Sequence, residues 1–281
     1  MSTLTPLSPS RLHHLPMGVA FGVTDIGPVR SNNEDNFLID ETLGLVMVAD
    51  GMGGHAAGDV ASAGVLDALR QHLRVDGSQD ATAMGGPGQD LHAPDPDATW
   101  SDPTMRAVGL LHDAIEAANR TLYAQNVARS CRDGEGMGAT LTGFWRPGAD
   151  APLTLFHVGD SRLYRLRGGQ LEQLTRDQTL YQQAVDAGVL HDLPARNVLL
   201  QAMGPGPHVA PEVRTQLVEP GDLLMLCSDG LHGSVPHGDI EAGLAAATAQ
   251  TLEAACRQLV AMAKECGGRD NITVVLALYK G

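Results

Sequence analysis

Apolar residues recur along this chain with two different periods. In 60–73, Val65, Leu69 and Leu73 fall at i, i+4 and i+8. In 105–127, Val108, Leu111, Ile115, Ala118 and Leu122 alternate by three and four, the most regular stripe in the chain. In 252–266, Leu252, Ala255, Cys256 and Leu259 line one face. This spacing predicts three amphipathic helices with core-facing stripes. Short apolar runs at 19–24, 43–49, 139–145, 153–158, 163–167, 171–174, 213–218, 223–227 and 272–279 read as strands. Gly168-Gly169 has the spacing of a tight hairpin turn, and Pro220-Gly221-Asp222 makes another turn. The strands come in adjacent pairs, and so do the helices. That order predicts antiparallel sheets covered by helix pairs, not a strand-helix-strand parallel sheet.

Two stretches break the pattern. Residues 1–16 carry three prolines and no regular period, which reads as a flexible tail. Residues 76–103 hold Gly85-Gly86-Pro87-Gly88 and Asp95-Pro96-Asp97, which reads as a disordered insertion. The remainder, 17–281, is expected to form a single domain, within reach of the 281 residues and 43% hydrophobic content.

Charge narrows the function. Lys and Arg number 19 against 33 Asp and Glu, a net charge of -14. Phosphate backbones are held by clustered cations, so a nucleic-acid partner is not expected. Aromatics at 4% also argue against base stacking. The cysteines, Cys131, Cys227, Cys256 and Cys266, form no Cys-x-x-Cys pair, which disfavours a zinc or redox motif. Cys227, Cys256 and Cys266 sit in apolar patterns and read as core. No apolar run approaches a membrane span, and no secretory pattern opens the chain, so a cytoplasmic location without a membrane partner is expected.

The candidate chemistry lies where strands end. The runs 45–49, 156–159 and 223–228 meet Asp50, Asp160 and Asp229, and Asp270-Asn271 stands directly before the run from Ile272. If these edges share one rim, several carboxylates converge and raise one another's pKa. A hard divalent cation removes that cost, and all-oxygen ligands suit Mg²⁺ or Mn²⁺. Gly51 after Asp50 leaves its carbonyl unobstructed. The loop Arg30-Ser31-Asn32-Asn33-Glu34-Asp35 adds two acids and an arginine suited to a phosphate. Gly51-Met52-Gly53-Gly54-His55 could bind an anion at a helix start, or His55 could donate a proton.

Six segments occur in a telling order and spacing: 30–35, 48–55, 136–141 (Gly136-Met137-Gly138-Ala139-Thr140-Leu141), 158–162, 227–231 and 268–273. Together they resemble the metal-dependent protein phosphatases of the 2C type in their bacterial form, over about Gly18 to Tyr279. The resemblance implies an α+β fold, a four-layer α-β-β-α sandwich of two antiparallel sheets packed face to face with helix pairs outside. It implies two Mn²⁺ or Mg²⁺ ions at one end. By position, Asp50 would bridge both metals, Asp229 and Asp270 would complete one, and the Gly51 carbonyl would serve the other. Glu34 would act through water, with Asp35 supporting that shell. Arg30 would hold the substrate phosphate, and His55 would be the general acid. The implied reaction is hydrolysis of phosphoserine or phosphothreonine in proteins by direct attack of a metal-bridging hydroxide. Phosphoprotein substrates, a cognate serine/threonine kinase and a monomeric state go with it.

Three features depart from the family pattern or extend it. Asp160 matches one acid of a third metal site, but Gly233, preceded by His232, stands where the second acid would be. Gln178 stands where the family often carries His. Residues 182–203 match the family's flap. Two rival readings remain at this stage. One is a metal-dependent phosphodiesterase or nuclease, against which the acidic balance argues. The other is a phosphatase-like binding or regulatory module, against which the retained Asp50, Asp229 and Asp270 argue.

Overall fold

The computed structural model describes residues 6–53, 57–83, 103–148 and 151–280. The first half of the chain contains β1 (His13–Leu15), β2 (Gly18–Asp25), β3 (Asp35–Asp40), β4 (Leu45–Met52), α1 (Gly58–Ala83), α2 (Pro103–Ala128), β5 (Gly138–Ala139) and β6 (Leu141–Trp145). The second half contains β7 (Leu153–Val158), β8 (Arg162–Arg167), β9 (Gln170–Gln173), α3 (Leu180–Asp186), β10 (Glu212–Gln216), β11 (Leu223–Cys227), α4 (Asp229–His232), α5 (His237–Leu244), α6 (Leu252–Glu265) and β12 (Ile272–Tyr279).

The strands form two sheets. One runs β1-β2-β12-β11-β8-β9, the other β10-β7-β6-β4-β3, with β5 paired to β4. Every pairing is antiparallel. The layers follow from side-chain alternation. On β4, Val46 and Val48 face the other sheet, packing with Phe37, Phe144, Leu226 and Val275. Met47 faces outward onto the stripes of α1 and α2, including Val65, Leu69, Leu111 and Ile115. On the other sheet, Phe21, Met225 and Val274 meet Leu252, Cys256 and Leu259 of α6. Both faces of the central strands are therefore dry. This explains why they read as unbroken apolar runs, and the four-layer α-β-β-α sandwich is the fold observed. The Gly168-Gly169 turn has φ of 57° and 81° and joins Arg167 to its partner Gln170, as the hairpin spacing predicts.

Some boundaries differ from the pattern-based expectation. The described part of the predicted tail is fixed: β1 pairs with β2, and the Ile39 N–H donates to Ser8 Oγ at 2.8 Å. His13 is buried between Glu41 and the Pro9 carbonyl, at 2.8 and 3.0 Å. Prolines here break periodicity without breaking packing. The helical backbone of α1 continues through 76–83, the opening of the predicted insertion, and α2 starts at its end; 84–102 lies outside the described residues. β3 was not expected, because Asp35 and Asp40 at its ends disguise a wholly buried strand. Cys227 and Cys256 are buried, whereas Cys266 caps α6 on the surface and is not core. No helix among the described residues is long and apolar enough to cross a membrane.

Candidate active site

Topology gathers the acids. Asp50, near the end of β4, sits opposite Asp35 at the start of β3. Asp229 opens α4 two residues after β11, and Asp270 lies two residues before β12, the neighbour of β11. Asp160 occupies the β7–β8 turn, and Arg30 and Glu34 the β2–β3 loop, both of which cross from one sheet to the other. Arg30, Glu34, Asp50, Gly51, Asp160, Asp229 and Asp270 line one cavity of about 720 Å³. Asp35 lies buried behind it. Of the sequence-predicted site residues, His55 alone lies outside the described residues.

Two glycines make the close approach possible. A Cβ on Gly51 would stand 1.9 Å from the Gly58 carbonyl oxygen. One on Gly58 would stand 2.7 Å from Glu34 Cδ and 2.8 Å from the Gly51 carbonyl oxygen. The end of β4, the carboxylate of Glu34 and the first residue of α1 therefore pack against one another only because neither position carries a side chain.

The site also contains residues that periodicity missed. Asn271 donates from Nδ2 to the Ile26 and Asn32 carbonyls, and its Oδ1 accepts the Glu34 N–H at 2.9 Å. One side chain thus pins the loop carrying Arg30 and Glu34 to the strand edge carrying Asp270. Ser228 and Thr273 hydroxyls donate to Asp35 Oδ2 at 2.6 and 2.7 Å. Thr140 Oγ1 accepts the Asp50 N–H at 2.9 Å and contacts Ser161 Oγ at 2.7 Å. The signal available in sequence was only their place beside the acids, in Ser228-Asp229 and Asp270-Asn271-Ile272-Thr273. Their partners lie across both sheets.

The electrostatics are those of crowded anions. Burial raises the Asp50 carboxyl well above the usual carboxylate range, and Asp35, Asp229, Asp160 and Asp270 raise it further. Burial is also the leading cause for Asp35, pushed up to about 7, Asp160, to about 7, and Asp229, to about 6. Glu34 is raised by burial and then by Asp59. Arg30 Nη2 donates to Asp270 Oδ2 at 2.6 Å and answers one charge of the set.

The residues present fit hard divalent cations. Asp35 Oδ1 and Asp229 Oδ1 are buried without a hydrogen-bond partner, which is costly for a carboxylate. The residues that line the cavity bring carboxylates and the Gly51 backbone, oxygen ligands of the kind that Mg²⁺ and Mn²⁺ select. No three His, Cys, Asp or Glu side chains among the described residues already close on one point.

Beside the cavity, the third-site position is built differently. His232 Nε2 lies 3.0 Å from the Asp160 carbonyl, and burial lowers the imidazole to about 4, so the neutral ring donates there. Gly233 contributes only its N–H, which donates to the Asp229 carbonyl at 2.7 Å. Asp160 is therefore not joined by a second carboxylate at that position.

Comparison with known proteins agrees with this geometry. The family model described as protein phosphatase 2C matches residues 29–275. The serine/threonine protein phosphatase PstP of Mycobacterium tuberculosis is 38% identical over 259 residues, which are 90% of this chain and 43% of that protein. The serine/threonine phosphatase stp of Listeria innocua is 34% identical over 90% of this chain and 92% of its own length. The crystal structure of the PstP catalytic domain in complex with two manganese ions superposes with a TM-score of 0.72 at 33% identity, covering 93% of this chain and 98% of that one. This chain thus spans less than half of the full mycobacterial protein but nearly all of its catalytic domain. On a match that runs through almost every strand and helix described above, the chain belongs to the protein phosphatase 2C family.

Proposed function

We propose that this chain is a metal-dependent serine/threonine protein phosphatase that releases phosphate from phosphoserine and phosphothreonine in proteins. The observation that carries the reading is the set of buried and half-buried carboxylates converging from both sheets on one cavity beside an arginine, with an orphaned oxygen on Asp229 and another on Asp35 behind it. Asp50, the Gly51 carbonyl, Asp229 and Asp270 would hold two Mn²⁺ or Mg²⁺ ions, with Glu34 and Asp160 at the rim of that set. When bound, such ions supply a water acidic enough to ionise near neutral pH and neutralise charge on the phosphoryl oxygens.

The protein's own groups do the rest. Asp35, clamped by Ser228 and Thr273, orients the polar shell behind Asp50. Arg30, whose Nη2 donates to Asp270 here, would exchange that contact for two phosphoryl oxygens, which positions phosphorus for in-line attack. His55, assigned by its place in the motif, gives a proton to the departing serine or threonine oxygen. No thiol takes part: burial pushes Cys227, next to this site in sequence, up to about 12, so it stays protonated. The acidic third-site partner is missing at Gly233, so two ions suffice for this reading. Phosphoproteins are the substrates, a serine/threonine kinase acting on the same proteins is the natural counterpart, and a monomer in the cytoplasm completes the proposal.

The rival diester reading is separable by experiment. A phosphothreonine peptide and a phosphodiester are offered to the protein with Mn²⁺, and the monoester is expected to turn over faster. Preference for the diester contradicts the proposal. Arg30→Ala is expected to raise KM for the peptide by about tenfold, the loss of a charged bidentate contact, while metal binding persists. An unchanged KM removes Arg30 from phosphate binding.

A further inference from the structure

Gln178 lies outside the acid cluster. It is nevertheless bonded on three sides. Its Oε1 accepts the Gly159 N–H at 3.0 Å, and its own N–H donates to the Gly159 carbonyl at 2.8 Å. Its carbonyl accepts the Leu200 N–H at 2.8 Å. The next two residues continue the contact: Thr179 bridges to Leu199, and the Leu180 N–H donates to the Val198 carbonyl at 2.9 Å.

Both ends of this link matter to the site. Gly159 immediately precedes Asp160 and has φ of +103°, a conformation glycine alone adopts readily. A Cβ there would stand 2.7 Å from Thr140 Cγ2. Thr140 is also the residue that holds the Asp50 N–H. The turn carrying Asp160 is therefore wedged between Thr140 on one side and Gln178 on the other. At the far end, Val198, Leu199 and Leu200 form a wall of the cavity that holds Asp50 and Arg30. α3 and the following loop, 180–197, are largely exposed, and beyond residues 178–180 the wall is next anchored where buried Met203 pairs with Ala139.

We infer that Gln178 is a positioning residue that locks the Asp160 turn and the 198–200 wall into one unit. Through it, the placement of an acid in the cluster and the shape of the substrate cavity are set together. The Oε1 acceptor is the part that a residue of another type would lose, because the two backbone bonds of Gln178 are open to any side chain. The functional consequence rests on the phosphatase reading above; the mechanical coupling does not.

The test compares Gln178→Met, which keeps the length and removes the acceptor, with Gln178→Glu, which keeps the acceptor. Amide hydrogen exchange reads the coupling without any substrate. In the Met variant, amides of 159–161 and of 198–200 are both expected to exchange about fivefold faster, the effect of losing one hydrogen bond. Turnover of the phosphothreonine peptide with Mn²⁺ is expected to fall about tenfold in kcat, because the Asp160 turn is misplaced. The Glu variant is expected to recover most of both. Faster exchange at 159–161 with 198–200 unchanged overturns the coupling, and so does a Met variant indistinguishable from wild type. If the wild-type protein released no phosphate, the phosphatase reading would fail while the exchange data still decided the coupling.

Discussion

Asp50→Asn is expected to lower Mn²⁺-dependent turnover by roughly a thousandfold, about 4 kcal/mol of transition-state stabilisation. Asparagine has the same shape, and the backbone N–H that donates to Thr140 is untouched. The fold should therefore survive. Indeed, the metal-free variant should melt no lower than wild type. The half-buried Asp50 carboxyl lies among Asp35, Asp229 and Asp160, and removing its charge removes repulsion. Titration calorimetry should show Mn²⁺ binding weakened or lost, as the ligand role proposed for Asp50 requires. The combination of lost turnover, lost metal and retained melting temperature distinguishes a ligand from a structural residue. An Asn variant that keeps its Mn²⁺-dependent turnover would show that the assignment of Asp50 is wrong.

The second large effect is on stability and has a definite sign with pH. Burial pushes Asp35 up to about 7, with the Ser228 and Thr273 hydroxyls pulling it down and Asp229 and Asp270 pushing it up. Its unfolded pKa is about 3.9. Between those values the folded protein binds more protons than the unfolded chain. The contribution of Asp35 is thus fully present below about pH 4 and is lost as pH rises towards about 7. Asp35→Asn stays neutral throughout, and its Oδ1 can accept both hydroxyls. In metal-free protein, the wild type should lose melting temperature relative to Asp35→Asn across that window, by roughly 5–10 °C. Buried His157 and His232, both lowered by burial, titrate with the opposite sign, but they are common to both proteins and cancel in the difference. Saturating Mn²⁺ should narrow the gap, because a cation offsets the charge that asparagine lacks. A difference that does not change with pH would mean that Asp35 is already ionised in the folded protein at low pH.

These expectations show which parts of the molecule the sequence could express. The layers were legible because strands dry on both faces leave apolar runs such as 45–49 and 223–227, and helices dry on one face leave stripes such as Leu111, Ile115, Ala118 and Leu122. The acids Asp50, Asp160, Asp229 and Asp270 were legible because each sits where such a run stops or starts. β3 was not, since a strand that begins and ends in aspartate resembles a polar loop. Residues 6–16 were not, since an edge strand of three residues has no period to detect.

The supporting shell was the least legible part. Asn271 is an ordinary polar residue at a strand start until the fold brings Ile26, Asn32 and Glu34 around it. Ser228 and Thr273 gain their meaning only from Asp35, 193 and 238 residues away in the chain. Gln178 is similar. It stood out as a departure from a motif, but its role depends on a turn and a wall that no local pattern connects. Acid positions follow from the ends of elements, whereas the groups that orient them follow from contacts between elements.

On this reading the cluster of carboxylates holds metal for phosphoester hydrolysis. Phosphate release from a phosphothreonine peptide, followed as Mn²⁺ is titrated into metal-free protein and then removed with a chelator, tests it most directly. Turnover should appear with Mn²⁺, saturate as two ions bind, and vanish with the chelator. Phosphate release indifferent to the chelator, or none from protein carrying both ions, would contradict the account.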